Sequence, residues 1–542
     1  MKIAAWVRTL AVGVLAGLVA AILMLLVMAL LRAGFGISPP PESIPDRLAP
    51  TLPIDRFFRM IGEYGGYNGL KRFGIRSIIQ GILGVGTLLG VIYAVVAERG
   101  RSRPSARASR FGVGRGSLLF VVGAVGALWI ASLVVLWPTL GANYRGLPIQ
   151  PARVVTALGL LVAYAAYGLG LVLFYRFITD GLARRTAAPA TAASAMEPVP
   201  AAPGIGAIAR RALLVGGTGL ALAWATRAML GRFNRLAVYA YDGLRPSRSP
   251  LAAVTPNDQF YVVTKNVVDP RVTKGIWRLE IAGHVEDARA YDFDEIAALA
   301  ATTQEATLTC ISNRVGDTLI SNAVWKGVPM AALLAAARPK SGAVEVVLHA
   351  VDGYTDTFAI DKALEPTTLV AYEMNGEPLP DRHGYPARII VPGLFGEKNV
   401  KWVTRIEVVD RDVKGFYEQQ GWGPSFVVPT RSQFIAPDLR QPLPVNQPVT
   451  LSGLAFAGNR GVSEVEVSVD DGQAWHAAEL DYPGSVLSWA LWSYAWRPTR
   501  PGDYKLAVRA TDAAGELQTP QGRGIVSEGA TGYHRVTTRV EG

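Results

Sequence analysis

The sequence predicts three parts: an N-terminal α-helical membrane domain over residues 1–231, an α+β domain over residues 250–426, and a C-terminal immunoglobulin-like β-sandwich over residues 427–542. Three observations carry this division. Five apolar runs of spanning length precede residue 231. Short strand-type and helix-type runs then succeed one another, the pattern of a mixed α+β fold. The last part reads as alternating strands separated by Asp/Gly turns. At 542 residues the chain is too long for one core.

The apolar runs lie at residues 5–31, 77–97, 117–137, 154–174 and 212–230. The first is longer than a signal-peptide core and no small-x-small site follows it, so it reads as a retained helix. The net charge is +11. Much of it flanks apolar runs, a topology signal rather than a nucleic-acid one, and no nucleic-acid partner is expected. Arg99, Arg101, Arg103, Arg107, Arg110 and Arg115 follow the second run; Arg176, Arg184, Arg185, Arg210 and Arg211 follow the fourth. Both loops belong on the cytoplasmic side. The loop 138–153 holds only Arg145 and Arg153 and faces out. The N-terminus is then cytoplasmic and everything after residue 231 is extracytoplasmic. Arg56, Arg59, Lys71 and Arg72 in the first loop run against this, mixed with Glu42, Asp46, Asp55 and Glu63. Residues 186–204 form a Pro/Ala-rich linker. The pair Arg210-Arg211 reads either as a twin-arginine export signal or as plain cytoplasmic anchoring. All five histidines follow residue 231, so no helix offers a histidine to a b-type haem. A single cysteine excludes an intrachain disulfide, an all-cysteine iron–sulfur cluster and a CxxCH haem attachment.

In the α+β part, strands are expected at residues 258–266, 277–283, 344–348, 388–391 and 403–409, and helices at 294–299, 331–337 and 361–364. The one cysteine, Cys310, follows a short strand-type run at 306–309. After it come a polar turn, then Trp325-Lys-Gly-Val328 leading into an Ala/Leu-rich helix. A thiol so placed is a metal ligand, a nucleophile or a small buried apolar group.

The surrounding residues favour the first. Cys310-Ile-Ser-Asn-Arg314 precedes Asn322-Ala-Val-Trp-Lys-Gly-Val328. A second block holds Tyr372-Glu-Met-Asn-Gly-Glu-Pro-Leu-Pro380, His383-Gly-Tyr-Pro-Ala-Arg388, Val391-Pro-Gly393 and Val400-Lys-Trp402. In this order the blocks resemble the molybdenum-cofactor domain of the sulfite oxidase family, over about residues 250–540. The resemblance implies a molybdenum–molybdopterin cofactor, held by a pterin dithiolene with one phosphate and by one protein thiolate, here Cys310. Sulfur ligands suit such a metal. It also implies cofactor contacts from His383, Arg388, Asn399 and Lys401, from Asp352, and from Thr264, Lys265 and Asn266, which stand where the family has an Arg-Asn-His run. Taken singly, His383 could be a turn residue, Arg388 a strand-edge charge and Lys401 a solvated one. His284, Asp317 and Lys326 read as surface positions. The family surrounds its metal with anion-holding arginines and a tyrosine; Thr264, Val315 and Val413 occupy those positions here, which argues against sulfite. Charge could re-enter from Lys265, Glu397, Lys398 or Arg523, and Tyr417 and Trp422 lie close in sequence.

Strands are expected at residues 449–455, 462–469, 492–496 and 504–510, with turns at Asp470-Asp-Gly472 and Asp512-Ala-Ala-Gly515. Ser468-Val-Asp-Asp-Gly-Gln-Ala-Trp475 and Gly532-Tyr-His-Arg535 resemble the family's second domain, which implies a homodimer contact. The function implied is a membrane-anchored molybdenum oxidoreductase carrying out two-electron oxygen-atom transfer on a non-sulfite small molecule outside the cytoplasmic membrane. Electrons would pass through a separate cytochrome or quinone-linked partner, because no haem, flavin or iron–sulfur motif is visible. The alternative is a non-catalytic membrane scaffold or binding protein on the same fold.

Overall fold

The computed structural model describes residues 2–101, 114–183, 205–236 and 251–542. The linker at 186–204 and most of the arginine-rich loop after the second apolar run lie outside the described residues. The chain forms two compact units. One comprises Met1–Arg47, Tyr64–Asn143 and Ile149–Ala237; the other comprises Leu48–Glu63, Tyr144–Pro148 and Val238–Gly542.

The helices up to residue 236 are α1 (Lys2–Phe35), α2 (Pro40–Leu48), α3 (Ile54–Glu63), α4 (Tyr67–Arg101), α5 (Arg115–Leu136), α6 (Ile149–Ala183) and α7 (Ile205–Leu236). Among the described residues, five helices are long and apolar enough to cross a membrane, and they contain the five expected runs. Helix α1 is the hub, packing on α4, α6 and α7. Gly13 and Gly17 face Gly86 and Gly90 so closely that a β-carbon at any of them would collide with the opposite helix. Small residues at such a seam let two helix backbones approach closely. The Tyr167 hydroxyl donates to the Gly86 carbonyl at 2.7 Å. The short amphipathic α3 belongs to the second unit.

The second unit begins its regular structure with β1 (Leu279–Gly283), β2 (Arg289–Tyr291), α8 (Phe293–Ala298), β3 (Thr302–Thr309), β4 (Ile320–Pro329), α9 (Met330–Ala337), β5 (Glu345–Ala350), β6 (Thr355–Ala359), α10 (Ile360–Leu364), β7 (Leu369–Met374), β8 (Glu377–Pro378), β9 (Arg388–Ile390) and β10 (Val403–Val409). One sheet runs β2-β1-β10-β5-β6; the other runs β3-β4-β7-β8, with β9 on β7. Helix α8 starts at a capping box, Asp292 and Glu295 satisfying each other's main-chain N–H groups. Trp277, Val328, Leu334, Ile389 and Ile406 share the core between these elements. The expected strand at 258–266 is instead an irregular extended loop. Its main chain is held by side chains, as where Tyr261 N donates to Ser321 Oγ at 3.1 Å. Strands β6 and β7 carry no expected counterpart; β7 is buried on both faces and shows no alternation.

The C-terminal strands are β11 (Arg431–Ala436), β12 (Leu443–Pro444), β13 (Val449–Phe456), β14 (Val462–Ser468), β15 (His476–Ala477), β16 (Glu479–Tyr482), β17 (Ala490–Trp496), β18 (Gly502–Asp512) and β19 (His534–Glu541). They form two sheets, β11-β13-β17-β16 and β12-β19-β18-β14-β15. Leu451 and Trp492 of the first share a core with Val467, Leu506 and Val540 of the second. This β domain is stitched to the preceding one. Trp489 N donates to Thr307 Oγ1 at 2.8 Å, Trp489 Nε1 to the Ala253 carbonyl at 2.8 Å, and the Tyr482 hydroxyl to Glu305 at 2.6 Å.

Candidate functional site

Cys310 sits where β3 ends and the chain must turn back into β4. The turn is closed from within: Cys310 N donates to the Leu319 carbonyl at 3.0 Å, and Asn313 N to the Cys310 carbonyl at 3.0 Å. The Asn313 amide spans the loop, donating to Thr309 Oγ1 and accepting from Leu319 N. It is then clamped from outside. Arg431, the first residue of β11, donates to Thr309 Oγ1 at 3.2 Å and to the Asn313 and Arg314 carbonyls at 3.2 and 3.0 Å. Gly316 has a positive φ and lies against the His534 ring, so no side chain fits there. The Cys310 sulfur lies 3.1 Å from Ser312 Oγ. Burial pushes the thiol up to about 11, with Glu397 adding to the rise and Ser312 and Arg431 opposing it. A bound cation would reverse that balance and hold the thiolate.

A basic cluster lies around the turn from Asp381 to Arg388. Arg388 is 4% exposed and donates to the His383 and Asn399 carbonyls, both at 3.1 Å. Its guanidinium stacks over Trp325 at 5.0 Å, and its Nε has no hydrogen-bond partner among the described residues. Burial lowers Arg388 to about 10. Lys401 donates to the Val263 and Arg382 carbonyls at 3.3 and 3.1 Å. Burial first, with Arg388 and Arg382 repelling, lowers it to about 8 despite Asp269 nearby. His383 Nε2 donates to the Asn257 carbonyl at 2.9 Å, and burial followed by Arg388 and Lys401 lowers its pKa to about 3. Gly384 brings the β-carbons of Arg388 and Lys401 to its own backbone. His383 and Arg388 are thus buried, and Lys401 is partly buried.

Arg388 depresses both Lys401 and His383, and its Nε is without a partner among the described residues; such a set suits a phosphate, since Arg forks onto its oxygens and Lys adds a point charge. The residues present therefore fit a phosphate-bearing cofactor. Next to the cluster, Asn266 Nδ2 donates to Asp352 Oδ2 at 2.7 Å, and Lys265 Nζ donates to the Asp352 carbonyl at 2.9 Å. The Tyr144 hydroxyl donates to Asn266 Oδ1 at 3.3 Å. Thr264 is buried and its Oγ1 accepts from Asn266 N. Asn399 spends its amide on the main chain, accepting from Val391 N at 2.7 Å and donating to the Phe395 carbonyl at 3.0 Å, and so shapes the loop between β9 and β10.

Of the charges expected to re-enter, Lys398 is 2% exposed and bridges Asp356 at 2.7 Å and Glu418 at 3.2 Å. Arg523 pairs with Glu528. Tyr417 and Trp422 form an aromatic chain with Tyr354, at centroid spacings of 5.7 and 6.5 Å. His284 meets the Ser341 carbonyl at an exposed position, as expected. Sequence reasoning missed Arg431, Ser312 and Tyr261. Tyr261 lies under Gly396, close enough to Cys310 for the thiolate charge to raise its pKa further.

Residues 266–417 match the oxidoreductase molybdopterin binding domain, and residues 425–541 match the Mo-co oxidoreductase dimerisation domain. Mitochondrial sulfite oxidase of Drosophila melanogaster is 29% identical over 345 residues, 53% of this chain and 59% of that one. NADH nitrate reductase of Solanum lycopersicum is 28% identical over 322 residues, 48% of this chain and 35% of that one. The sulfane dehydrogenase SoxCD from Paracoccus pantotrophus superposes with a TM-score of 0.50 and 25% identity, over 54% of this chain and 85% of that chain. The chain spans between a third and about three fifths of the length of the curated relatives it matches. Residues 266–541 thus carry, in order, the two domains of a molybdopterin oxidoreductase of the sulfite oxidase type, with the cysteine loop, basic cluster and interdomain clamp in place.

Proposed function

We propose that this chain is a membrane-anchored molybdenum oxidoreductase that moves an oxygen atom to or from a non-sulfite small molecule outside the cytoplasmic membrane. One observation carries the reading: the lone cysteine and the His383–Arg388–Lys401 cluster are positioned by one unit that also matches both family domains. Cys310 would ligate the metal. Arg388, Lys401 and His383 would hold the phosphate and pterin, with Asp352, Asn266, Lys265 and Thr264 beside them. The cofactor, when bound, supplies two-electron oxygen-atom chemistry; the chain binds it, orients it and keeps water from it. The two sulfite oxidase and nitrate reductase relatives act on anions by name. Thr264, Val315 and Val413 offer no fixed cation, which supports a different substrate.

The matched dimerisation domain supports a homodimer. Electrons would leave or arrive through a separate cytochrome or quinone-linked protein. Membership of the second unit supports the orientation read from the arginines. Leu48–Glu63, Tyr144–Pro148 and the folded C-terminal part belong to one unit, and segments of one folded unit share one side of a bilayer. Both loops are extracytoplasmic in that reading, so Arg56 and Arg59 of α3 count as surface charges of a folded unit rather than as topology signals.

Protein purified in detergent from a host that makes the cofactor is expected to carry molybdenum and pterin equimolar with the chain, by elemental analysis and pterin fluorescence. A folded protein with neither would point to the scaffold alternative. Arg388→Ala removes the guanidinium under the expected phosphate. Pterin retained through gel filtration is expected to fall by about tenfold or more, the scale seen when a supporting contact of a bound metal group is lost. Full retention would remove Arg388 from the binding set.

A further inference from the structure

Tyr144 comes from the stretch between α5 and α6, two helices long and apolar enough to cross a membrane, yet Tyr144–Pro148 belongs to the second unit. The loop is docked there by its main chain. Arg271 N donates to the Tyr144 carbonyl at 3.1 Å, and Thr273 N to the Arg145 carbonyl at 2.9 Å. Gly146 has a positive φ and lies so close to the Val272 side chain that a β-carbon would collide with it. Trp277, its next neighbour, is closed to solvent and donates from Nε1 to the Val403 carbonyl at 2.9 Å. So held, the loop delivers one side chain. Tyr144 is 3% exposed, and its hydroxyl donates to Asn266 Oδ1 at 3.3 Å. Asn266 Nδ2 donates in turn to Asp352 Oδ2 at 2.7 Å, and Asp352 Oδ1 accepts from Tyr354 N at 3.1 Å.

An asparagine amide has an oxygen end and a nitrogen end of nearly the same shape, so its partners decide which way it faces. A hydroxyl donating to Oδ1 and a carboxylate accepting from Nδ2 favour the same orientation. We propose that Tyr144 is a positioning residue for the cofactor: its hydroxyl fixes the Asn266 amide, and through it the Asp352 carboxylate, in the orientation that receives the pterin. This rests on the molybdenum oxidoreductase reading above and adds to it a loop from between two membrane-spanning helices. The N-terminal part of the chain is then more than an anchor. Outer partners of this kind set how well a group is held without touching it. By linkage, the cofactor steadies the loop as much as the loop steadies the cofactor. The hydrogen bond is neutral, so its loss is expected to cost about threefold to tenfold in retention.

The test follows pterin release from the cofactor-loaded, full-length protein in detergent, read by fluorescence over time. Wild type, Tyr144→Phe, Asn266→Ala and the double variant are compared. Tyr144→Phe is expected to release pterin about threefold to tenfold faster than wild type. In the Asn266→Ala background the same change is expected to add nothing, because the hydroxyl acts through that amide. A loop that mattered only for packing would add its effect in both backgrounds. Unchanged release in Tyr144→Phe, unchanged release in Asn266→Ala, or additive effects in the double variant would each overturn the proposal. A measurement on wild type alone covers a variant that fails to fold. Hydrogen exchange at the Arg271 and Thr273 N–H groups, which donate to the loop, is expected to slow by about threefold to tenfold when cofactor is bound. Equal exchange with and without cofactor would overturn the proposal as well. Molybdenum and pterin are measured in wild type first. Their absence would remove the oxidoreductase reading and this proposal with it; their presence with unmoved release would remove only the role of Tyr144.

Discussion

Cys310→Ser is expected to lower turnover by more than about 100-fold while leaving most of the pterin bound, because even the outer partners of a metal ligand are worth 10–100-fold. The serine hydroxyl is neither soft nor deprotonated at neutral pH, so it cannot replace a thiolate on the metal. The loop itself should survive. Its closure uses the Cys310 main chain, the Asn313 amide and the Arg431 guanidinium, none of which the substitution touches. In the proposed reading the pterin and phosphate contacts lie elsewhere, in Arg388, Lys401 and His383. Pterin fluorescence, metal analysis and turnover on one preparation separate these contributions. Wild-type turnover in the serine variant would remove Cys310 from the metal; wholesale loss of pterin would show that the thiolate, not the basic cluster, holds the cofactor.

Asp356→Ala is expected to destabilise the second unit by about 3–5 kcal/mol, the cost of leaving a buried charge without its partner. Lys398 is 2% exposed and its ammonium lies 2.7 Å from Asp356. Asp356 also accepts from the Tyr354 hydroxyl at 2.6 Å and from Thr357 N at 2.9 Å. Alanine would leave Lys398 with only Glu418, at 3.2 Å, and would orphan the Tyr354 hydroxyl on that side. The melting temperature should fall by at least about 6 °C. Adding Lys398→Met should recover much of the loss, since replacing both ions by apolar groups is often near neutral. An unmoved melting temperature in the single variant would mean that solvent reaches the lysine.

What the sequence revealed and what it hid follow from range. The apolar runs are local signals, and the five long helices contain them. The Cys310 and His383–Arg388 blocks are short contiguous patterns, as are the Asp470-Asp-Gly472 turn and the strands around it. The loop at 258–266 looked like a strand because its residues alternate, but alternation says nothing about whether a neighbouring strand exists. Strand β7 was silent because burial on both faces erases its period. Arg431 was hidden for a different reason. It lies in another domain's first strand, and nothing near it in sequence mentions Cys310.

The contact between Ala49 and Gln420 sets a timetable. Gln420 Nε2 donates to the Ala49 carbonyl at 2.8 Å across a separation of 371 residues, and the Phe58 and Trp422 rings meet at 5.6 Å. A ribosome adding about 5–20 residues per second needs roughly 20–70 s to cover that interval. Throughout it, Ile54 and Phe58 exist without the cluster around Trp422 that they will pack against. The newborn segment must therefore be sheltered, by a chaperone or by the bilayer interface, until the far end of the fold has been made.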